Sequence, residues 1–253
     1  MARSNKEWRV EPHAPIQKLA ENLWRVSGSL PHVTLRRTMT LVRLGDGPAD
    51  GASAASPALG PRVLVHSAIA LDEPAMRQIE AWGTPAFLVV PNGLHRLDAA
   101  AYKARYPAMR VFAPKGARAK VEEVVPVDAT LDMFPHDPHV RFETLAGIGE
   151  SEAAMIVRSQ DGVSIVFGGD VVFNMDRKRD PIGFFVTTLC GSAPGPRVSR
   201  LYKRLHVTDK AALRSDLERL AMTEDLVRLV VAHENVATGP DAAAALRKAA
   251  TYL

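Results

Sequence analysis

The 253-residue chain holds one cysteine, Cys190. A single thiol excludes an intramolecular disulfide framework and any paired-cysteine zinc motif. Aromatic residues are scarce, at 6%, and the basic residues are scattered among acids rather than gathered into a stripe. A nucleic-acid surface asks for clustered Lys and Arg interleaved with stacking rings, so no nucleic-acid partner is expected. The densest basic run, DRKRD at 176–180, carries an acid at each end. No stretch approaches the roughly 18 uninterrupted apolar residues of a membrane span. The opening MARSNKEWRVEPHAPIQ has no apolar centre of the signal-peptide kind. The expectation is a cytoplasmic protein with no membrane partner, its oligomeric state unreadable from sequence.

What is present is ordinary for an enzyme-sized globular chain: 47% hydrophobic residues and a formal net charge of +4. A length of 253 residues supports a sizeable core. One domain over 1–253 is expected, interrupted by GDGPADGASAASPALGP at 45–61. That segment is rich in Gly, Ala, Ser and Pro and lies between the strand-like runs RTMTLVRL (37–44) and RVLVHSAI (62–69). Such composition predicts an expanded hairpin loop.

Beyond it, apolar runs alternate with helical patterns. RVLVH precedes a helix over 72–83, with Asp72 and Glu73 at its start and Gly83 at its end. PAFLVVPNG (85–93), a helix over 98–107 and MRVFAP (109–114) follow. The middle reads as three strands in close succession, 140–149, 152–162 and 163–170, the last pair joined by an Asp161–Gly162 turn. The tail returns to helix (209–223), strand (226–235) and helix (239–253). Strands apolar throughout imply burial on both faces. Two halves, each mixing meander strands with βα units, predict an α/β fold of the layered αββα sandwich type.

The strongest strands stop at polar residues. RVLV ends at His66; AFLVVPNG runs to His95 with Asp98 three residues on; SIVFGG ends at Asp170; LVRLVVA ends at His233. Sites in α/β folds form at the carboxyl ends of strands. Imidazoles with a carboxylate suit zinc, iron or manganese, and two His plus one Asp with an open position match catalytic rather than structural sites. Such an ion makes water nucleophilic near neutral pH. The same residues also satisfy one another without metal, since an Asp between two imidazoles is a complete polar network. Asp98 equally suits a helix N-cap. Gly168 and Gly169 allow close backbone approach around Asp170.

The order of these features resembles the metallo-β-lactamase superfamily over roughly residues 22–240. NLWRV (22–26) is similar to its opening strand, FLVVPNGLHRLDAAAYKARYPAMRVFAP to its first metal loop with helix and strand, VFGGDVVF to the strand bearing its bridging aspartate, and VVAHEN to the strand ending in its last ligand histidine. The resemblance implies His95, Asp170 and His233 as metal ligands, with Asp98 as a substitute ligand where the family's HxHxDH motif has a third histidine. Leu97 falls on the motif's aspartate, and Ile148 on the histidine of a later turn. A reduced site holding at most one ion is implied, closest to a degenerate branch of the superfamily with HS, PN…H and AH signatures.

Two functions stay open on the sequence. One is a metal-dependent hydrolase with one Zn, Fe or Mn ion, acting on a small molecule, with Glu152 or Glu150 as general base. Its substrate-binding candidates are His66, Cys190 and Arg197, the last suited to an anionic group. The other is a metal-free descendant of the fold that binds a ligand or partner.

Overall fold

The computed structural model describes residues 6–31, 33–45 and 60–253. All but the ends of the loop expected at 45–61 therefore lies outside the described residues.

Seven strands form the first sheet in sequence order: β1 (Gln17–Lys18), β2 (Leu23–Leu30), β3 (Val33–Arg43), β4 (Arg62–His66), β5 (Thr84–Val89), β6 (Arg110–Ala113) and β7 (Ala129–Thr130). The β1 to β4 neighbours are antiparallel and the β4 to β7 neighbours parallel. Helices α1 (Glu73–Trp82), α2 (Ala99–Arg105) and α3 (Arg118–Glu122) connect the parallel strands. The second sheet has five strands: β8 (Val140–Thr144), β9 (Ala153–Ser159), β10 (Gly162–Phe167), β11 (Leu226–Val231) and β12 (Ala237–Thr238). Between β10 and β11 run α4 (Pro181–Phe184), a π-helical stretch (Phe185–Leu189), α5 (Arg200–Leu205) and α6 (Lys210–Leu220); α7 (Pro240–Ala250) closes the chain.

The unbroken apolar strands have a direct cause. Successive side chains point to opposite faces, so a strand between two cores must be apolar at every position. Val63 and Val65 face the helices outside the first sheet, while Leu64 between them faces the second sheet. Ile165 and Val166 divide in the same way, as do Leu229 and Val230. The result is helix, sheet, sheet, helix, with one core between the sheets and one beneath each helical layer.

The β9–β10 hairpin is one residue out of the expected register. Gly162 pairs with Ser159, so Gln160 and Asp161 form the loop and Gly162 belongs to the strand. Glycine is still required, because its φ is 131° and a Cβ would meet the Asp225 carbonyl oxygen at 2.7 Å. In the Gly/Pro-rich TTLCGSAPGPR (187–197), residues up to Leu189 end a π-helical stretch, and the rest, with Cys190 and Arg197, is loop.

Where the strands end, the sheets are stitched together. Thr38 N in β3 donates to Ala232 O just past β11, at 2.8 Å. This brings the ends of β4, β5, β10 and β11 to one edge of the sandwich.

Candidate metal centre

His95, Asp170 and His233 converge at that edge, one ligand atom from each lying within 4.8 Å of the others. Both imidazole Nε2 atoms sit 3.2 Å from the same oxygen, Asp170 Oδ1. The rings meet edge to face with centroids 5.3 Å apart, and Phe173 stacks on His233 at 5.2 Å.

Each residue is fixed by its own local structure. His233 follows β11, and its Nδ1 lies 2.8 Å from the Arg36 carbonyl oxygen of β3. A carbonyl only accepts, so Nδ1 carries a proton and Nε2 faces Asp170. A neutral ring in this tautomer would point a lone pair at a carboxylate oxygen. A proton or a metal ion must therefore lie between them. The donor set, two Nε2 atoms and a carboxylate turned to one point, fits a single zinc-like ion.

His95 is placed by Asn92, whose Oδ1 accepts from the backbone N–H of Leu94 and His95, both at 2.8 Å. This is the side-chain turn that Asn forms most readily. Asn92 Nδ2 donates to Glu152 Oε1 at 2.9 Å, and Asp170 N donates to the same oxygen at 3.1 Å. One carboxyl thus ties the loop of His95 to the turn of Asp170. Sequence reasoning missed Asn92, though its place three residues before His95 is a signal for this turn.

The two glycines of GGD make room for that arrangement. A Cβ on Gly168 would lie 2.3 Å from His66 Cε1, and one on Gly169 would lie 2.2 Å from Glu152 Oε2. Ser67 and Glu234, which follow His66 and His233, have φ of 59° and 68°. Backbone in this region is strained for non-glycine residues and turns sharply just after the strands that carry the histidines.

Electrostatics follow from burial and these contacts. Burial alone would raise the Asp170 carboxyl, but the His95 charge and the His233 hydrogen bond outweigh it and hold the group well below the usual carboxylate range. Burial opposes a charge on His233, yet its bond to Asp170 raises it on balance. Burial, then the Asp170 charge, push Glu152 up to about 8.

Asp98 is fully buried, but its carboxylate pairs with Arg37 and accepts from Ala70 N at 3.0 Å. It starts α2 without a side-chain cap bond, and it stands outside the three-residue cluster. Glu152 is buried behind the Asp170 turn and does not line the cavity at the cluster. Glu150 is exposed and pairs with Lys115 at 3.4 Å. Cys190 is buried at the end of the π-helical stretch, where burial raises its thiol, and Arg197 stacks on Tyr252 at 4.2 Å and donates to the Ala193 carbonyl. Neither lines the cavity. Ile148 packs in the core beneath the second sheet, and Leu97 lines the cavity.

That cavity, about 250 Å³, opens at the cluster. Leu30, Leu35, Leu94, Phe173, Met175 and Val186 make it largely apolar, with Arg37 and Ser67 in its wall.

His66 lies behind the cluster, buried, with Nδ1 lacking a hydrogen-bond partner among the described residues. Burial first, then the charge of His95, lower it from 6.5 to about 3. The unfolded chain therefore binds more protons between these values, so stability rises with pH through this window and is lost as pH falls from 6.5 to 3. Proton uptake by the unfolded chain is expected to remove about 3 kcal/mol of stability through this residue between pH 7 and pH 4. Urea midpoints of metal-free wild type and His66→Gln, compared from pH 4 to 7, should converge as the pH falls. The Glu152 shift tilts stability the other way between 4.5 and about 8, and it cancels in the comparison.

No protein-family model matches the chain, and no curated protein does. Solved structures similar to it include the metallo-β-lactamase FIM-1 from Pseudomonas aeruginosa in its mono-zinc form, with a TM-score of 0.58 and 12% identity over 98% of each chain. A metallo-β-lactamase from Erythrobacter litoralis with β-mercaptoethanol in the active site gives 0.55 and 13%, over 94% of this chain and 96% of that one. One from Pontibacter korlensis gives 0.56 and 9%, over 94% and 99%. Two mixed sheets between helical layers, with polar residues gathered at one sheet edge, agree with that likeness along nearly the whole chain: the protein has the metallo-β-lactamase fold.

Proposed function

We propose that the protein is a hydrolase dependent on a single metal ion held by His95, Asp170 and His233. The observation that carries this reading is the orientation of His233. Its Nδ1 is committed to the Arg36 carbonyl, which leaves Nε2 aimed, with His95 Nε2, at one carboxylate oxygen. A divalent ion held there would act as a Lewis acid and activate water for attack on an acyl or phosphoryl centre. The chain's own residues do the rest. Asn92 and Glu152 fix the two loops against each other, and Phe173 holds the His233 ring. Leu30, Leu35 and Val186 exclude bulk water and receive an apolar substrate group.

A second reading has its own support. Asp170 Oδ1 is bridged by two imidazoles, Asp98 is committed to Arg37, and Leu97 and Ile148 offer no donor. A metal-free pocket that binds an apolar ligand fits those facts.

Turnover separates the two. Protein reconstituted with zinc, iron or manganese is assayed on esters, thioesters, lactams and phosphodiesters bearing small apolar groups. The hydrolase reading predicts activity that a chelator removes, that metal restores and that Asp170→Ala lacks. Bound metal without turnover on any of these classes would favour the binding protein.

A further inference from the structure

Ten large apolar side chains are exposed among the described residues, and six of them fall between 182 and 205: Ile182, Phe184, Phe185, Leu189, Leu201 and Leu205. Phe185 and Leu189 are 54% and 59% exposed. The two segments that carry them are joined. Leu201 N donates to Cys190 O at 3.1 Å, and Arg200 donates to the Thr188 carbonyl at 2.6 Å.

On its inner side the 181–189 segment buries Gly183 and Thr187 and turns one apolar side chain, Val186, to the cavity. Val186 lines the cavity and packs with Leu35, Phe173, Met175 and Ala193. The segment thus borders the cavity through Val186 while it presents Ile182, Phe184, Phe185 and Leu189 to solvent. It is held in place, since the Asp180 carboxylate caps Gly183 N at 2.9 Å and bonds the Thr34 hydroxyl, and Lys178 pairs with Glu234. A surface helix normally turns polar residues outward, and a concentration of exposed apolar side chains marks an interaction site.

Charge identifies what that site meets. Between 176 and 204 seven basic residues stand against two acids, Asp176 and Asp180, in a chain whose total is only +4. Everything outside this stretch is therefore net acidic. Arg177, Arg179, Arg200 and Arg204 are exposed, whereas Asp180 is spent on the helix cap. Apolar side chains flanked by arginines suit an anionic lipid interface, where the first enter the acyl boundary and the second meet phosphates. No helix among the described residues is long and apolar enough to cross a membrane, so the contact is with the surface. The sequence-based expectation of no membrane partner rested on spanning segments and does not bear on such contact.

We propose that the 181–189 segment and α5 form a docking surface for an anionic phospholipid bilayer, which sets the apolar cavity against the membrane interface. This stands whether or not the site holds metal. The full chain is cosedimented with vesicles of phosphatidylcholine alone and of phosphatidylcholine mixed with phosphatidylglycerol. Binding is expected to the mixed vesicles, weakened by salt, and not to phosphatidylcholine alone. Phe185→Ser with Leu189→Ser, and separately Arg177→Glu with Arg179→Glu, should each weaken binding by about tenfold or more, with unchanged circular dichroism. The proposal is overturned by no binding to the mixed vesicles, by equal binding to both compositions, or by variants that bind like wild type. It is also overturned if light scattering shows wild-type self-association that the serine pair abolishes, since the patch would then join two copies of the chain.

Discussion

Asp170→Ala is expected to weaken zinc binding by at least about 100-fold, because loss of outer-shell partners alone lowers metal affinity about 10–100-fold and this residue is the shared ligand. Both imidazoles address its Oδ1, so its removal leaves two neutral donors and no anion at the point of convergence. Competition against a chromogenic chelator measures the change. Equal zinc affinity in wild type and variant would mean that metal, if bound, is held elsewhere. The variant is also informative without metal. His233 is raised chiefly by its bond to Asp170, so in Asp170→Ala its titration, followed by NMR, should fall.

Asp98→Ala is expected to lower stability by about 3–5 kcal/mol, the usual consequence of leaving one member of a buried ion pair alone. Asp98 and Arg37 are both buried, and the guanidinium also donates to the Ala68 carbonyl at 3.2 Å. Without the carboxylate, Arg37 would stay charged beside an apolar cavity, and Ala70 N would lose its acceptor. The double variant Arg37→Met with Asp98→Leu removes both charges and should recover most of the loss, since buried pairs contribute little net stability. Urea denaturation of the three proteins checks this. A double variant as unstable as Asp98→Ala would show that the pair shapes the fold in some other way. Loss of zinc binding in Asp98→Ala at unchanged stability would make Asp98 a ligand after all.

These two carboxylates show what the sequence could and could not reveal. Asp170 was legible because it follows an apolar strand and two glycines, a local pattern whose cause is the packing of Gly168 on His66 and Gly169 on Glu152. His95 and His233 were legible as strand-end residues, and alternate-face burial made the strands themselves plain. The fate of Asp98 was not legible. Its partner Arg37 lies 61 residues away in sequence, on a strand whose arginine looks like any other until the sheet forms. Glu152 shows the same limit, since a strand-edge acid reads as a general base until its oxygen is found holding Asn92 and Asp170 N. Cys190 and Arg197 do lie on a Gly/Pro-rich loop that follows the π-helical stretch, but the thiol is buried and Arg197 lies over Tyr252, contacts that no local pattern marks. Local pattern thus marked which residues gather at the sheet edge. Long-range pairing decided what each of them does there.

Three donors at that edge are proposed to hold one ion, and the metal content of the protein decides whether they do. Wild-type protein purified without chelator, reconstituted at micromolar zinc, iron or manganese and freed of excess, is measured by elemental analysis beside His95→Ala and His233→Ala. About one ion per wild-type chain is expected, with a large loss in both variants. Less than about 0.1 ion per wild-type chain with every metal, or full occupancy that survives both substitutions, would contradict it.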